Sequence, residues 1–257
     1  MDFGLSGKTA LVLGASRGLG AACARELALE GVTVYAAARN TAAIAGWAAD
    51  LPAGQVVPVA LDLSDPAQVA AVSAEMAQTG IDILIANCGG PKAGPATGQS
   101  TAAWQAAWEA MALPVMAIAD ALLPGMCARG FGRIITIGSS GIVSPIPGLA
   151  LSNGIRGALA GWSKTLAGEV AAQGVTVNMV LPGRIGTDRV AELDAGRAAK
   201  TGQSVEEVAA ASRATIPAGR YGDPAEFAAV AAFLASARAS YVTGSMIRVD
   251  GGMLRNL

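Results

Sequence analysis

"VLGASRGLGAACARELA", residues 12–28, decides the fold. It opens as the end of an apolar run, turns through Gly14, Gly18 and Gly20 in the spacing G-x-x-x-G-x-G, and continues as an alanine-rich helical stretch. A strand, a glycine-rich turn and a helix in that order aim backbone N–H groups and a helix N-terminus at one point. That arrangement suits a pyrophosphate. Glycine is required because a Cβ would block the close backbone approach.

Outward from this unit, short apolar runs alternate with helical stretches. Residues 9–14, 32–38, 56–62, 81–87, 133–138, 175–181 and 245–251 read as strands. Several are apolar throughout, as expected of strands buried on both faces of a parallel sheet. The segments between the first six are long enough for crossover helices. The expected architecture is α/β: a doubly wound parallel sheet (Rossmann fold) in one three-layer αβα domain spanning 1–257. Residues 184–222 break the alternation. They are more charged, and they read as one or two short helices outside the sheet, a lid over a site at the strands' carboxyl ends or else a structural cap or oligomer contact.

The bulk numbers narrow the class. The chain has 257 residues, 53% of them hydrophobic and 14% charged, with a net charge of −1. The apolar excess is mostly alanine and glycine. Asp120, Pro114, Pro124 and glycines interrupt the most apolar stretches, so no membrane span is expected. The N-terminus does not read as a signal peptide, and no charged tail suggests nucleic acid as a partner. Cys23, Cys88 and Cys127 show no metal-ligand spacing and their odd number argues against a disulfide framework, so a reduced cytoplasmic protein without a metal is expected. Histidine is absent. Proton chemistry must therefore come from Tyr, Lys, Cys, a carboxylate or water.

The second strand ends "YAAARN", with Arg39 where a binder of NAD usually carries an acid for the ribose 2′-hydroxyl. Arg39, helped by Arg17, suits a 2′-phosphate, so NADP(H) is favoured over NAD(H). The alternative is two solvated surface arginines.

With these motifs in hand, the whole chain resembles the short-chain dehydrogenase/reductase family, and most closely its 3-oxoacyl-acyl-carrier-protein reductase-like branch. The glycine loop, "LDLSD" (61–65), "ANCGG" (86–90), "RIITIGSSG" (133–141), "VNMVLPGRIGTD" (177–188) and the segment 216–252 carry the resemblance. It implies a cofactor held by Gly14, Ser16, Arg17, Gly18, Leu19 and Gly20, then by Arg39, Asp62 and Leu63. Asn87, Gly89, Pro182, Gly183 and Thr187 complete the set. It also implies a homotetramer, or a dimer, formed through two long helices (about 99–128 and 152–173) and the last strand, with Trp104, Trp108 and Trp162 nearby.

The family's usual catalytic group is an Asn, a Ser and a Tyr-x3-Lys pair, the tyrosine about 13 residues after the serine. Here the strand-end serine is Ser139, the tyrosine position is Ser152, the lysine position Arg156, and the asparagine position Met111. Tyr35, Tyr221 and Tyr241 lie in other motifs. The same Ser-x3-Arg replacement, in a similar "PIPG…LSN" context, resembles that of a branch of reductase-like members. Arginine supplies a permanent positive charge and can stabilise an alkoxide, but it cannot relay a proton. Serine can orient a carbonyl, with water as the proton source. Lys92 is a candidate substitute, Lys164 a weaker one, and Cys88 reads as a small buried residue beside the cofactor.

Three functions remain open on the sequence. One is an NADP(H) oxidoreductase acting on a carbonyl or alcohol, a small molecule or an acyl thioester, through Ser139, Ser152 and Arg156. Another is a cofactor-binding sensor or partner subunit without turnover. The third is a non-redox enzyme in which Arg156 grips a carboxylate or phosphate.

Overall fold

The computed structural model describes residues 2–256. Seven parallel strands form one sheet: β1 (Thr9–Leu13), β2 (Thr33–Ala38), β3 (Val56–Ala60), β4 (Ile83–Ala86), β5 (Gly132–Ile137), β6 (Val175–Pro182) and β7 (Met246–Val249). Their order is β3-β2-β1-β4-β5-β6-β7. All seven expected strands are present, with ends within a few residues of the expectation.

Both faces of the inner strands are buried, the edge strands β3 and β7 only in part, and the two-residue side-chain period sorts residues between the faces. Ala10 and Val12 of β1 join the core under α1 (Gly18–Leu29), α2 (Thr41–Trp47) and α9 (Pro224–Ala235). Leu11 and Leu13 join the core under α3 (Pro66–Thr79), α4 (Thr101–Met111), α5 (Leu113–Ala128) and α6 (Ala150–Val170). Local chemistry starts these helices. Asn40, Asp65, Ser100 and Asp223 each accept a backbone N–H at an N-cap, and Pro66 and Pro224 stand in the first turn.

The helix expected over about 99–128 is two helices. Ala112 lies between them, with Pro114 opening the second, because proline is tolerated in a first turn but removes the N–H that a continuous helix would use. Taken together, Thr101–Ala128 is long and apolar enough to cross a membrane by length and composition, contrary to the sequence expectation. Here its apolar face is spent on the sheet: Val115, Ile118, Ala119 and Leu122 are buried against the core. The three tryptophans expected at an assembly surface are partly buried and pack against that same core.

Residues 184–222 form two helices outside the sheet, α7 (Asp188–Thr201) and α8 (Val205–Arg213). The segment is pinned at its base, where the N–H of Gly186 bonds to Gly222 O at 2.8 Å and the N–H of Gly222 to Arg184 O at 2.9 Å. Asp194, its carboxylate buried, accepts from Arg184 at 2.8 Å and from the Tyr221 hydroxyl at 2.6 Å.

The chain runs β1 to β3 toward one edge, then crosses to β4 and proceeds to the other. That reversal opens a crevice at the carboxyl ends of β1 and β4, the place where doubly wound sheets bind ligands.

Candidate active site

A cleft of about 1110 Å³ occupies this crevice. Its nucleotide half is built from the first turn and its neighbours. Gly14 has φ +62°, a region closed to most side chains, and a Cβ there would stand 2.8 Å from Asn87 Nδ2. A Cβ on Gly20 would overlap the Gly14 carbonyl. Asn87 donates to Gly14 O at 3.3 Å, which ties the end of β4 to the glycine turn. No side chain caps the N-terminus of α1, so its free N–H groups are left for an anion. The residues present fit a dinucleotide: the turn admits no Cβ, and the helix end is unsatisfied.

Ser16, Arg17, Leu19, Arg39, Asp62, Leu63, Gly89, Pro182, Gly183 and Thr187 all line the same cleft. Arg39 is exposed at the end of β2, and no carboxylate follows that strand. Asp62 bonds to the N–H of Ser64 at 3.0 Å and its hydroxyl at 2.7 Å. Those bonds, with the nearby Arg39 charge, hold its carboxyl below the usual range. Arg17 departs from the expectation. Its guanidinium is not directed at the ribose end but pairs with Asp188 at 3.3 Å and Glu192 at 3.2 Å, both on α7. The segment outside the sheet thus supplies the anions that the glycine loop's arginine meets. Two α7 carboxylates one helical turn apart carry the signal for this contact, but their partner lies more than 170 residues away in sequence.

The other half of the cleft holds the candidate catalytic residues. Ser139 follows β5 and accepts from the N–H of Gly141 at 3.0 Å, which leaves its own proton free to donate. Ser152, half-buried in the first turn of α6, lines the cleft near it. One helical turn on, Arg156 is buried at 9% exposure. Its guanidinium donates to Ile137 O at 2.7 Å and Cys88 O at 3.3 Å. Arg156 thereby bridges the carboxyl ends of β5 and β4. Among the described residues, no carboxylate lies within ion-pair distance of it. The sequence could not show these partners because both are main-chain carbonyls.

Met111 closes α4 and is buried in the cleft wall at 3% exposure, an apolar side chain where the resemblance implies an asparagine. Cys88 is buried, as expected, and lines the cleft. None of the three tyrosines lines it. Tyr221 is committed to Asp194, and burial together with that bond pushes its phenol above its ordinary value. Lys92 lies on the rim, exposed, whereas Lys164 faces away and donates to Gly244 O at 3.0 Å.

The profile described as enoyl-(acyl carrier protein) reductase matches residues 14–254. The chain belongs to the short-chain dehydrogenase/reductase family. Within that family, the 3-oxoacyl-acyl-carrier-protein reductase of Vibrio cholerae is 36% identical over 251 residues, 97% of this chain and 98% of the relative. The protein of the same name from Escherichia coli K12 is 36% identical over 249 residues, 96% and 97% of the two chains. Among family structures, L-sorbose reductase from Gluconobacter frateurii, complexed with NADPH and L-sorbose, superposes with a TM-score of 0.93 at 34% identity, covering 100% of both chains. YwfH, an NADPH-dependent reductase involved in bacilysin biosynthesis, gives 0.92 at 30% identity over 98% of this chain and 100% of its own. A nicotinamide cofactor and a reductase-type activity are what the family assignment carries for this site.

Proposed function

We propose that this chain is an NADP(H)-dependent reductase of carbonyl groups that works without a positioned phenol. The observation that supports this most strongly is the Arg156 guanidinium, buried beside the strand ends with no carboxylate to neutralise it. Gly14, Gly18, Gly20 and the N-terminus of α1 would hold the pyrophosphate and Arg39 the 2′-phosphate. Asp62 and Leu63 would flank the adenine, and Asn87, Gly89, Pro182, Gly183 and Thr187 the nicotinamide half. When bound, the reduced cofactor supplies a hydride. The chain's own residues orient the acceptor and manage its charge.

Ser139, whose oxygen already accepts from the Gly141 N–H, donates a hydrogen bond to the carbonyl oxygen, and Ser152 adds a second hydroxyl. Arg156 stabilises the negative charge that develops there, an interaction worth ~10²–10³-fold when it comes from a preorganised donor. Neither group gives up a proton near neutral pH, so water protonates the product. Lacking a positioned acid typically forfeits ~10²–10⁴-fold. The expected enzyme is slow but active. Assembly into a homotetramer through α4, α5, α6 and β7 belongs to the same reading.

Oxidation of NADPH by the purified protein against a panel of aldehydes and ketones tests this. Turnover with NADPH exceeding that with NADH, and largely lost in Arg156→Met, is expected. Met111 favours a second reading, a cofactor-binding protein without turnover. NADPH binding with no oxidation against any carbonyl would establish that reading instead.

A further inference from the structure

We propose that the substrate is a small oxo acid, with its carboxylate one or two carbons from the reacting carbonyl. The inference rests on the reductase reading above and adds the class of molecule reduced. Three cations, Arg156, Lys92 and Arg189, line the cleft in addition to Arg17 and Arg39. Arg156, at its floor, has given two of its five N–H groups to Ile137 O and Cys88 O and keeps three. Lys92, on the rim, has no ion pair or hydrogen-bond partner among the described residues. Arg189 reaches from the lid toward the loop that carries Lys92. A Cβ built on Gly90 would stand 3.7 Å from its guanidinium, and its one ion pair, with Glu192, is long at 3.5 Å.

Among the described residues no cleft carboxylate pairs with Arg156 or Lys92, and Glu192 answers Arg189 only in part, since it is shared with Arg17. Asp62 is turned to Ser64, and Asp188 and Glu192 meet Arg17 at the cofactor end. A buried cation without a counterion is costly and is best satisfied by a ligand that brings the anion. The floor position matters because only a group that enters the cleft can meet a side chain 9% exposed. The remaining wall, from Met111, Ile146, Leu149 and Leu151, is apolar and suits a short hydrocarbon body. One guanidinium must serve both the carboxylate and the carbonyl oxygen, which sets their close spacing. In the reaction a hydride adds to the carbonyl carbon and water protonates the oxygen. The carbonyl becomes an alcohol, the nicotinamide is oxidised, and the carboxylate is unchanged.

Matched pairs test the proposal: pyruvate with pyruvamide, and acetoacetate with acetoacetamide. Each is titrated calorimetrically into protein saturated with NADP⁺, and each is assayed by NADPH oxidation. The acid of at least one pair should bind about tenfold more tightly than its amide, the scale of a charge-assisted contact. Added salt should reduce the preference. Lys92→Ala and Arg189→Ala should each cut it about threefold while NADP⁺ affinity holds. Equal affinity for acid and amide, or failure of both acids to bind, overturns the proposal. Acid preference without NADPH oxidation supports the anion site and sinks the reductase reading. Oxidation of neutral carbonyls without acid preference does the reverse.

Discussion

Arg156 sets two costs against each other. Its guanidinium is desolvated without a counterion, which costs several kcal/mol even after relaxation. In return it satisfies two main-chain carbonyls, each worth about 1.5–3 kcal/mol because the donor is charged. The two terms are of similar size, so Arg156 adds little net stability, and its charge is available for function. Arg156→Met, which keeps much of the apolar stem, should leave the urea midpoint unchanged or raise it, while activity and cofactor affinity fall. A loss of stability above about 2 kcal/mol would make Arg156 a structural clamp, since only stranded carbonyls cost that much. At the ribose end, Arg39→Asp should reverse the cofactor order, read by titration of NADPH and NADH. An unchanged order would remove the 2′-phosphate assignment. Among the thiols, burial pushes Cys23 up to about 12, so alkylation of native protein should spare it and strike the partly exposed Cys127 first. Rapid labelling of Cys23 without unfolding would contradict that burial.

Among the elements, α9 depends on its first turn. Asp223 and Glu226 form a reciprocal capping box, and Arg220 pairs with Glu226 at 2.6 Å. Asp223→Ala should cost about 1 kcal/mol in urea unfolding. The Arg220 contact, then the Asp223 N–H, push the Glu226 carboxyl down to about 2 from the ordinary 4.5. Its folded value lies below its unfolded value, so its contribution is complete above about 4.5 and fades as the pH falls toward 2. Arg220→Met should therefore be less stable than wild type at about pH 6, with the gap closing in acid. A gap that persists unchanged below about pH 2 would refute the pairing. The pair is exposed, so the effect is small.

The element scale also shows what the sequence could and could not carry. Every strand was legible, because runs such as "TALVL" and "ILIA" announce burial on both faces. The interruption at Ala112 was signalled by Pro114 yet overridden in reading, because the apolar period continues across it. The Arg17 contacts to α7 were not legible, since pairing across the fold leaves no local periodicity. Ser139, Ser152 and Arg156 are placed by the family resemblance and its serine-to-tyrosine spacing, and all three line one cleft. What anchors Arg156 could not be read, because backbone acceptors have no letter in a sequence.

For the molecule as a whole, one sheet brings the ends of β1, β2, β4, β5 and β6 to a single crevice. The surfaces of α5 and β7 carry the exposed apolar side chains Leu113 and Met246, and Tyr241, just before β7, is exposed as well. Assembly through those surfaces predicts a tetrameric mass by light scattering, and a monomer at micromolar concentration would count against it. The central claim is that a fixed positive charge replaces a titrating acid in this cleft. The most direct measurement is the rate of NADPH oxidation, with the carbonyl substrate saturating, from about pH 6 to about pH 10. A serine hydroxyl and a guanidinium both keep their protons across that span. The account predicts a rate without the alkaline fall that a positioned phenol would impose, and a large loss in Arg156→Met at every pH. A fall at alkaline pH, or an Arg156→Met rate equal to that of wild type, would contradict it.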